Sequence, residues 1–171
     1  MLILIIGAKG GLGTTSLARH LVQTGNGVGL DLCDGQLAAL LERKTWSLAG
    51  TALATGQERQ RAIDRIVNRR ITLLWTPECN LAPASVWNVV RDVANRAVVV
   101  TDCGIEPLEA VIDLADAVVI VSKDDPIAQH HEGRLQRRFP DAVIVTMNLA
   151  QSRHESRDAS RELAAQLFEG K

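Results

Sequence analysis

The chain has 171 residues, which is enough for one domain with a proper core and too few for two. Hydrophobic residues make up 46% of the chain, which excludes an intrinsically disordered protein. Lys and Arg number 19 and Asp and Glu number 20, so a net charge of −1 offers no general attraction for nucleic acid or membranes. We therefore predict a single domain over residues 1–171.

The cysteines and the apolar runs indicate a cytoplasmic protein. Cys33, Cys79 and Cys103 are odd in number and form no Cys-x-x-Cys pair, which is typical of a reducing compartment. The apolar run at the start of the chain is too short for a signal peptide, and no run approaches the ~20 residues of a membrane span. We expect a cytoplasmic location without membrane insertion.

Strand and helix patterns alternate along the chain. Strands are predicted at residues 2–6, 27–32, 71–75, 97–101, 117–122 and 142–147. Helices are predicted at residues 14–24, 35–43, 45–53, 58–68, 84–95, 107–114, 127–139 and 155–168. Continuous Val and Ile runs indicate strands buried on both faces, and the alternation indicates right-handed βαβ units. The prediction is a three-layer αβα fold with a mostly parallel twisted sheet and helices on both faces.

A glycine-rich loop follows the first predicted strand and leads into the first helix. Such glycines let backbone N–H groups line an anion nest, to which the helix N-terminus adds its positive end. A complete P-loop has a lysine where this chain has Thr14, and a lysine occurs earlier instead, at Lys9. The predicted phosphate cradle consists of Gly10, Gly11, Leu12, Gly13, Thr14, Thr15 and Ser16. The alternative is a glycine turn without a ligand.

The loop Lys9-Gly10-Gly11-Leu12-Gly13-Thr14-Thr15 resembles the deviant Walker A motif of the ParA/MinD superfamily of P-loop ATPases. That motif reads Lys-Gly-Gly-x-Gly-Lys-Thr followed by Thr or Ser, so Lys9 matches the signature lysine and Thr14 replaces the second lysine. In having a small residue instead of the second lysine, the loop resembles the CpaE/TadZ branch, whose members are localisation factors of tight-adherence pilus machines. The resemblance implies a P-loop NTPase fold of the SIMIBI type, ATP or ADP with Mg²⁺ as cofactors, and an ATP-linked homodimer in which Lys9 reaches the partner's phosphates.

The second predicted strand ends in acidic residues. The resembled family has Asp-x-Asp here, in which the first Asp lies near the metal and the second orients the attacking water. Asp31 matches the first, Cys33 replaces the second, and the adjacent Asp34 is a partial substitute. The candidate catalytic residues are therefore Lys9, Asp31 and Asp34. A thiol polarises water poorly, so we expect slow ATP hydrolysis at most. The alternative is that both aspartates cap the next helix.

The fourth predicted strand has the form of a Walker B strand, with apolar residues followed by Asp102. Asp102 would reach Mg²⁺ through water, and Thr15 is aligned with the hydroxyl that usually ligates this ion. Asp102-Cys103-Gly104 matches the family's Asp-x-Gly, where Gly104 lets the backbone approach the γ-phosphate. Ser16 is placed to reach the α-phosphate.

The last predicted strand leads to Asn148, which resembles the family asparagine whose amide reads the adenine edge. An ordinary loop asparagine is the alternative. The C-terminal helix carries Glu155, Asp158 and Glu162 and few bulky apolar residues, which disfavours membrane insertion and favours docking onto the sheet.

Arg61, Arg65 and Arg69 recur every four residues on one predicted helix. Such a row could bind nonspecific DNA phosphates or an acidic partner, although a solvated helix face is the simpler explanation.

Three functions follow as expectations. The first is a ParA/MinD-like switch that positions or assembles a pilus, secretion or related machine through a protein partner. Its recruitment site would be a cell pole, the nucleoid or an inner-membrane machine. The second is a partition ATPase on nonspecific DNA, and the third is a pseudo-ATPase scaffold that binds no nucleotide.

Overall fold

The computed structural model describes residues 1–75, 83–147 and 153–168. The strands are β1 (Leu2–Gly7), β2 (Val28–Asp31), β3 (Thr45–Ser47), β4 (Thr72–Leu74), β5 (Val99–Asp102), β6 (Ala117–Ser122) and β7 (Val143–Thr146). The helices are α1 (Thr14–Thr24), α2 (Gln36–Leu41), α3 (Leu48–Leu53), α4 (Gly56–Arg69), α5 (Pro83–Ala94), α6 (Glu109–Ile112), α7 (Pro126–Arg138) and α8 (Arg153–Phe168).

The strands form one seven-stranded sheet in the order β3-β4-β2-β5-β1-β6-β7. All six strand pairings are parallel, as the buried Val and Ile runs predict. In β1 every residue is buried, because the strand lies between β5 and β6 inside the sheet, with helices on both faces. The predicted α/β architecture is confirmed.

Helices cover both faces of the sheet. On one face, Leu17 of α1 and Leu37 of α2 share an apolar cluster with Leu163 of α8. On the other face, Leu48 of α3 and Ile63 of α4 belong to a second cluster that also includes α5. From β1 the chain passes to β2 and β3 at one edge of the sheet, and from β5 it passes to β6 and β7 at the other edge. Because the crossovers are right-handed, the helices of these two series lie on opposite faces of the sheet. The strand order therefore reverses beside β1, where ligands bind in such sheets.

One predicted helix is wrong. Residues 45–53 were expected to be helical throughout, but Thr45–Ser47 form the edge strand β3, and the helix starts only at Leu48. Thr and Trp favour strands, and the Ser47 hydroxyl accepts a hydrogen bond from the Gly50 N–H at 3.3 Å, which makes Ser47 the N-cap of α3. Across the described parts of the chain, no helix combines the length and the apolar character that a bilayer crossing needs.

Candidate functional site

The candidate site lies at the carboxyl ends of three adjacent strands. β1 ends in the glycine loop, β2 ends at Asp31 and β5 ends at Asp102. Asp102 pairs in register with Ile5 on one side and with Asp31 on the other. The fold therefore brings the predicted phosphate loop and two of the predicted carboxylates to one place.

The start of the loop is held by its neighbours. The Gly7 N–H donates to the Gly104 carbonyl at 2.7 Å, and the Ala8 N–H donates to the Val121 carbonyl at 2.8 Å. A Cβ on Gly7 would lie 3.0 Å from Cγ2 of Thr14, so the threonine methyl group packs against the beginning of the loop. Thr14 thus brings a methyl and a hydroxyl group and no charge to the start of the loop.

The solvent side of the loop is open. A Cβ on Gly10 or Gly11 would meet none of the described residues within 4 Å, whereas the Leu12 side chain between loop and core is 1% exposed. Gly11 has φ +76° and Gly13 has φ +86°, conformations that favour glycine. Gly13 is the N-cap residue of α1 and supplies no side-chain hydrogen bond, so it leaves the N–H groups of residues 14–16 at the start of the helix without a side-chain cap. This open, uncapped cradle fits the phosphates of a nucleotide.

Thr15 and Asp102 meet directly beneath the loop. Asp102 is 1% exposed, its carboxylate accepts a hydrogen bond from the Gly104 N–H at 3.2 Å, and the neighbouring Thr15 side chain favours the charged form of the carboxylate. Burial raises the pKa of Asp102 above the usual aspartate value, since a charged carboxylate is poorly solvated there. A divalent cation would offset that penalty, and hydroxyl and carboxylate oxygens are donors that Mg²⁺ prefers. These two residues fit the predicted magnesium site.

Asp31 is fully buried and holds the turn that follows β2. Its Oδ1 accepts from the N–H groups of Cys33 at 3.1 Å and Gly35 at 3.3 Å, and its Oδ2 accepts from the Ala38 N–H at 3.0 Å. Both oxygens are therefore engaged by backbone donors, which corresponds to the capping alternative. A role of Asp31 near the metal stays a prediction.

The other two residues after β2 are poorly suited to activating water. Asp34 is exposed, and its carboxylate accepts from the backbone N–H of Gln36 at 3.3 Å and from its side-chain amide at 2.7 Å. Burial and then the neighbouring carboxylates raise the pKa of the Cys33 thiol to about 12. The Cys33 thiol donates to the Asp102 carbonyl at 3.5 Å, and burial also raises the pKa of Cys103. Both thiols therefore stay protonated at neutral pH.

Lys9 is bound within its own chain. Its Nζ lies 2.6 Å from Oδ2 of Asp125, and the hydrogen bond with this ammonium lowers the pKa of the Asp125 carboxyl. Oδ1 of Asp125 also caps α7 by accepting from the Ala128 N–H at 2.9 Å. The Asp125 partner was not predicted, although an Asp followed directly by Pro126 is a typical helix-start signal.

The arginine row of α4 lies on the surface of the described structure. Arg61, Arg65 and Arg69 are exposed and form no ion pair with any residue whose placement is described. By contrast, Arg59 of the same helix is bound to Asp92 at 2.7 Å. The row is therefore free to contact an anionic partner.

Helix α8 near the end of the chain packs on the sheet. Leu163, Ala164 and Leu167 are buried against the sheet side that carries α1, so the predicted docking of α8 is confirmed. Asn148 lies outside the described residues, and its contact with adenine stays a prediction.

Known structures share this fold, although no protein-family model and no curated protein matches the sequence. The ParA family ATPase from Chlorobium tepidum TLS matches with a TM-score of 0.66 and 16% identity over 96% of this chain and 80% of that one. A chain of the MinC:MinD cell division protein complex from Aquifex aeolicus gives 0.61 and 15% identity over 98% and 77%. MinD from Aquifex aeolicus gives 0.52 and 16% identity over 98% and 78%.

The sheet order, the loop and these matches define the class as a P-loop NTPase fold. Within that class, the chain has the fold of ParA and MinD, which confirms at the level of the fold the resemblance that its loop predicts.

Proposed function

We propose that this protein is a ParA/MinD-like nucleotide-binding switch that positions or assembles a cellular machine and hydrolyses ATP slowly or not at all. The Thr15 side chain beside the buried Asp102 carboxylate, beneath the glycine loop, carries the proposal. It supports ATP or ADP together with Mg²⁺ as the cofactors, held by a single domain over residues 1–171. The protein partner of MinD in the similar complex supports proposing a protein partner here as well.

Three departures support weak turnover. Thr14 places no cation over the β- and γ-phosphates, where P-loop enzymes stabilise transition-state charge. Cys33 is a protonated thiol and Asp34 is hydrogen-bonded to Gln36, so neither is placed as a base for water. The loss of the lysine at position 14 also supports the narrower proposal of a CpaE/TadZ-like localisation factor for a pilus or secretion machine.

Calorimetric titration with ATP and ADP in the presence of Mg²⁺ tests nucleotide binding. We expect heat for both nucleotides with wild type and at least about 10-fold weaker binding with Gly11→Ala, because a Cβ would enter the open cradle. Gly56→Ala is the matched control, since Gly56 also has positive φ (+52°) and open space but starts α4. No heat for either nucleotide with wild type would leave only the pseudo-ATPase scaffold.

An ATP-linked homodimer requires Lys9 to leave Asp125, because the ammonium cannot bind this carboxylate and a partner's phosphates at once. We expect ATP with Mg²⁺ to double the gel-filtration mass of wild type and to leave Lys9→Ala monomeric. Asp125→Asn should dimerise at lower ATP concentration, since it frees Lys9 while an asparagine still caps α7. A wild type that stays monomeric at millimolar ATP would contradict the dimer.

The exposed arginine row of α4 favours one alternative, a partition ATPase on nonspecific DNA. That function predicts an ATP-dependent, salt-sensitive gel shift that is lost when Arg61, Arg65 and Arg69 are all replaced by Ala. Arg59→Ala serves as the control because Arg59 is held by Asp92. No binding at low salt would select the positioning switch.

A further inference from the structure

A cavity of about 500 Å³ adjoins the first half of the glycine loop. One wall is the loop at residues 8–10, and a second wall is the segment 105–109 that follows β5. The third wall is α7, which contributes His131, Arg134 and Arg138 from one helical face, since these residues are spaced three and four apart. A ligand held in the glycine loop would therefore border this cavity at residues 8–10.

The cations that line this cavity differ in how they are partnered. Lys9 is bound to Asp125, and Arg138 is bound to Glu109. Arg134 forms neither an ion pair nor a hydrogen bond with any residue in the described part of the chain. The exposed Glu106 is the one carboxylate of the lining that is not engaged in those pairs. Arg134 is thus the cation that this cavity can offer to an anion.

We propose that the cavity receives the terminal phosphate of a nucleoside triphosphate and that Arg134 supplies the charge that Thr14 does not. The inference rests on the proposed function, because the inner phosphates must lie in the glycine loop. A guanidinium suits this role, since its planar set of N–H groups binds two phosphate oxygens at once. α7 presents it from a regular helix of 13 residues whose start is fixed by the Asp125 cap. The site would accordingly distinguish triphosphate from diphosphate.

Calorimetric titration of wild type, Arg134→Ala and Arg137→Ala with ATP and with ADP tests this inference. Arg137 is an exposed arginine of the same helix that does not line the cavity, so Arg137→Ala is the matched control. We expect Arg134→Ala to bind ATP about 10- to 100-fold more weakly, the range for one charge-assisted contact, and to bind ADP as wild type does. Arg134→Lys should recover part of the ATP affinity, and Arg137→Ala should change neither affinity.

The outcomes separate this inference from the function on which it rests. If wild type binds ADP and ATP but Arg134→Ala weakens both equally, or neither, only the role of Arg134 is overturned. If wild type binds no nucleotide, both proposals are overturned. The cavity could instead bind a separate phosphate-bearing ligand. In that case Arg134→Ala would abolish the binding of inorganic phosphate to the ADP-loaded protein and leave the ATP affinity unchanged, which also overturns the assignment to the nucleotide.

Discussion

Thr14→Lys should strengthen ATP binding by about 10- to 100-fold, the effect of one new charge-assisted contact to phosphate. The Thr14 methyl group already packs against Gly7 at the start of the loop, and a Cβ on Gly10 or Gly11 would meet none of the described residues within 4 Å. The lysine would lie within the cradle, where backbone N–H groups already favour anions. ADP binding should strengthen less, because the terminal phosphate that the ammonium also contacts is absent.

Calorimetry on Thr14→Lys and Thr14→Met separates charge from size. Methionine has a similar length and no charge, so Thr14→Met should bind ATP no better than wild type does. Hydrolysis should stay slow in Thr14→Lys, because the Cys33 thiol remains protonated and cannot accept a proton from water. An ATP affinity unchanged by the lysine would show that the loop does not hold the phosphates.

Asp102→Asn should weaken Mg²⁺-dependent nucleotide binding by at least about 10-fold and, without ligand, make the protein more stable. Asparagine keeps the shape and can still accept from the Gly104 N–H, but it brings no charge to the metal. It also removes a buried carboxylate whose charged form is penalised, a gain on the order of 1 kcal/mol or roughly 2–4 °C in Tm. The pair of opposite effects distinguishes a functional carboxylate from a structural one.

The stability gain of Asp102→Asn depends on pH with a definite sign. Burial raises the folded-state pKa of Asp102 above the ordinary value of 3.8, so the charged carboxylate destabilises the folded protein at neutral pH. As the pH falls through the raised pKa and below 3.8, the carboxyl is protonated in both states and the gain disappears. Thermal unfolding at several pH values measures this, with the exposed Asp34→Asn as a control that should change Tm little.

Adding Mg²⁺ and ATP should reverse the order of the two proteins. Ligand bound only to the folded state raises the Tm of wild type, whereas Asp102→Asn gains less because its metal site lacks the charge. If Asp102→Asn has a lower Tm than wild type without ligand, the proposed cost of burying the charged Asp102 carboxylate is contradicted. Equal ligand-induced shifts in both proteins would contradict the metal site.

The central strands and the loop between them follow from local sequence alone. Uninterrupted Val and Ile runs at residues 98–100 and 118–121 bury both faces of a strand, and strand and helix geometry then require a parallel sheet with helices on both sides. The glycines of the loop are equally local signals, because positive φ at Gly11 and Gly13 is a property of single residues. The chemistry expected at residues 9–16 came from this pattern together with its resemblance to a known motif.

The edge strand at residues 45–47 was not predictable in the same way. It is only three residues long, and it is a strand because it pairs with β4 rather than because of its own spacing. Asp31 also lacked a local signal for its role, since its Oδ2 is bound by an N–H group seven residues away on α2. The pairing of a short strand and the hydrogen bonds of a buried carboxylate depend on neighbours that sequence periodicity does not identify.

Sequence by itself determined the longer strands of the sheet, its helical layers and the glycine loop with an uncharged Thr14, because these depend on steric preferences and spacing within a few residues. Only the tertiary structure decided that Lys9 binds Asp125, 116 residues along the chain, and that Arg134 faces the cavity beside the loop. Such contacts arise from the order of the strands and the placement of α7 beside β6. The physical reason is that the partner of a charged side chain is set by the fold, whereas the tendency to form a strand or a turn belongs to the local chain.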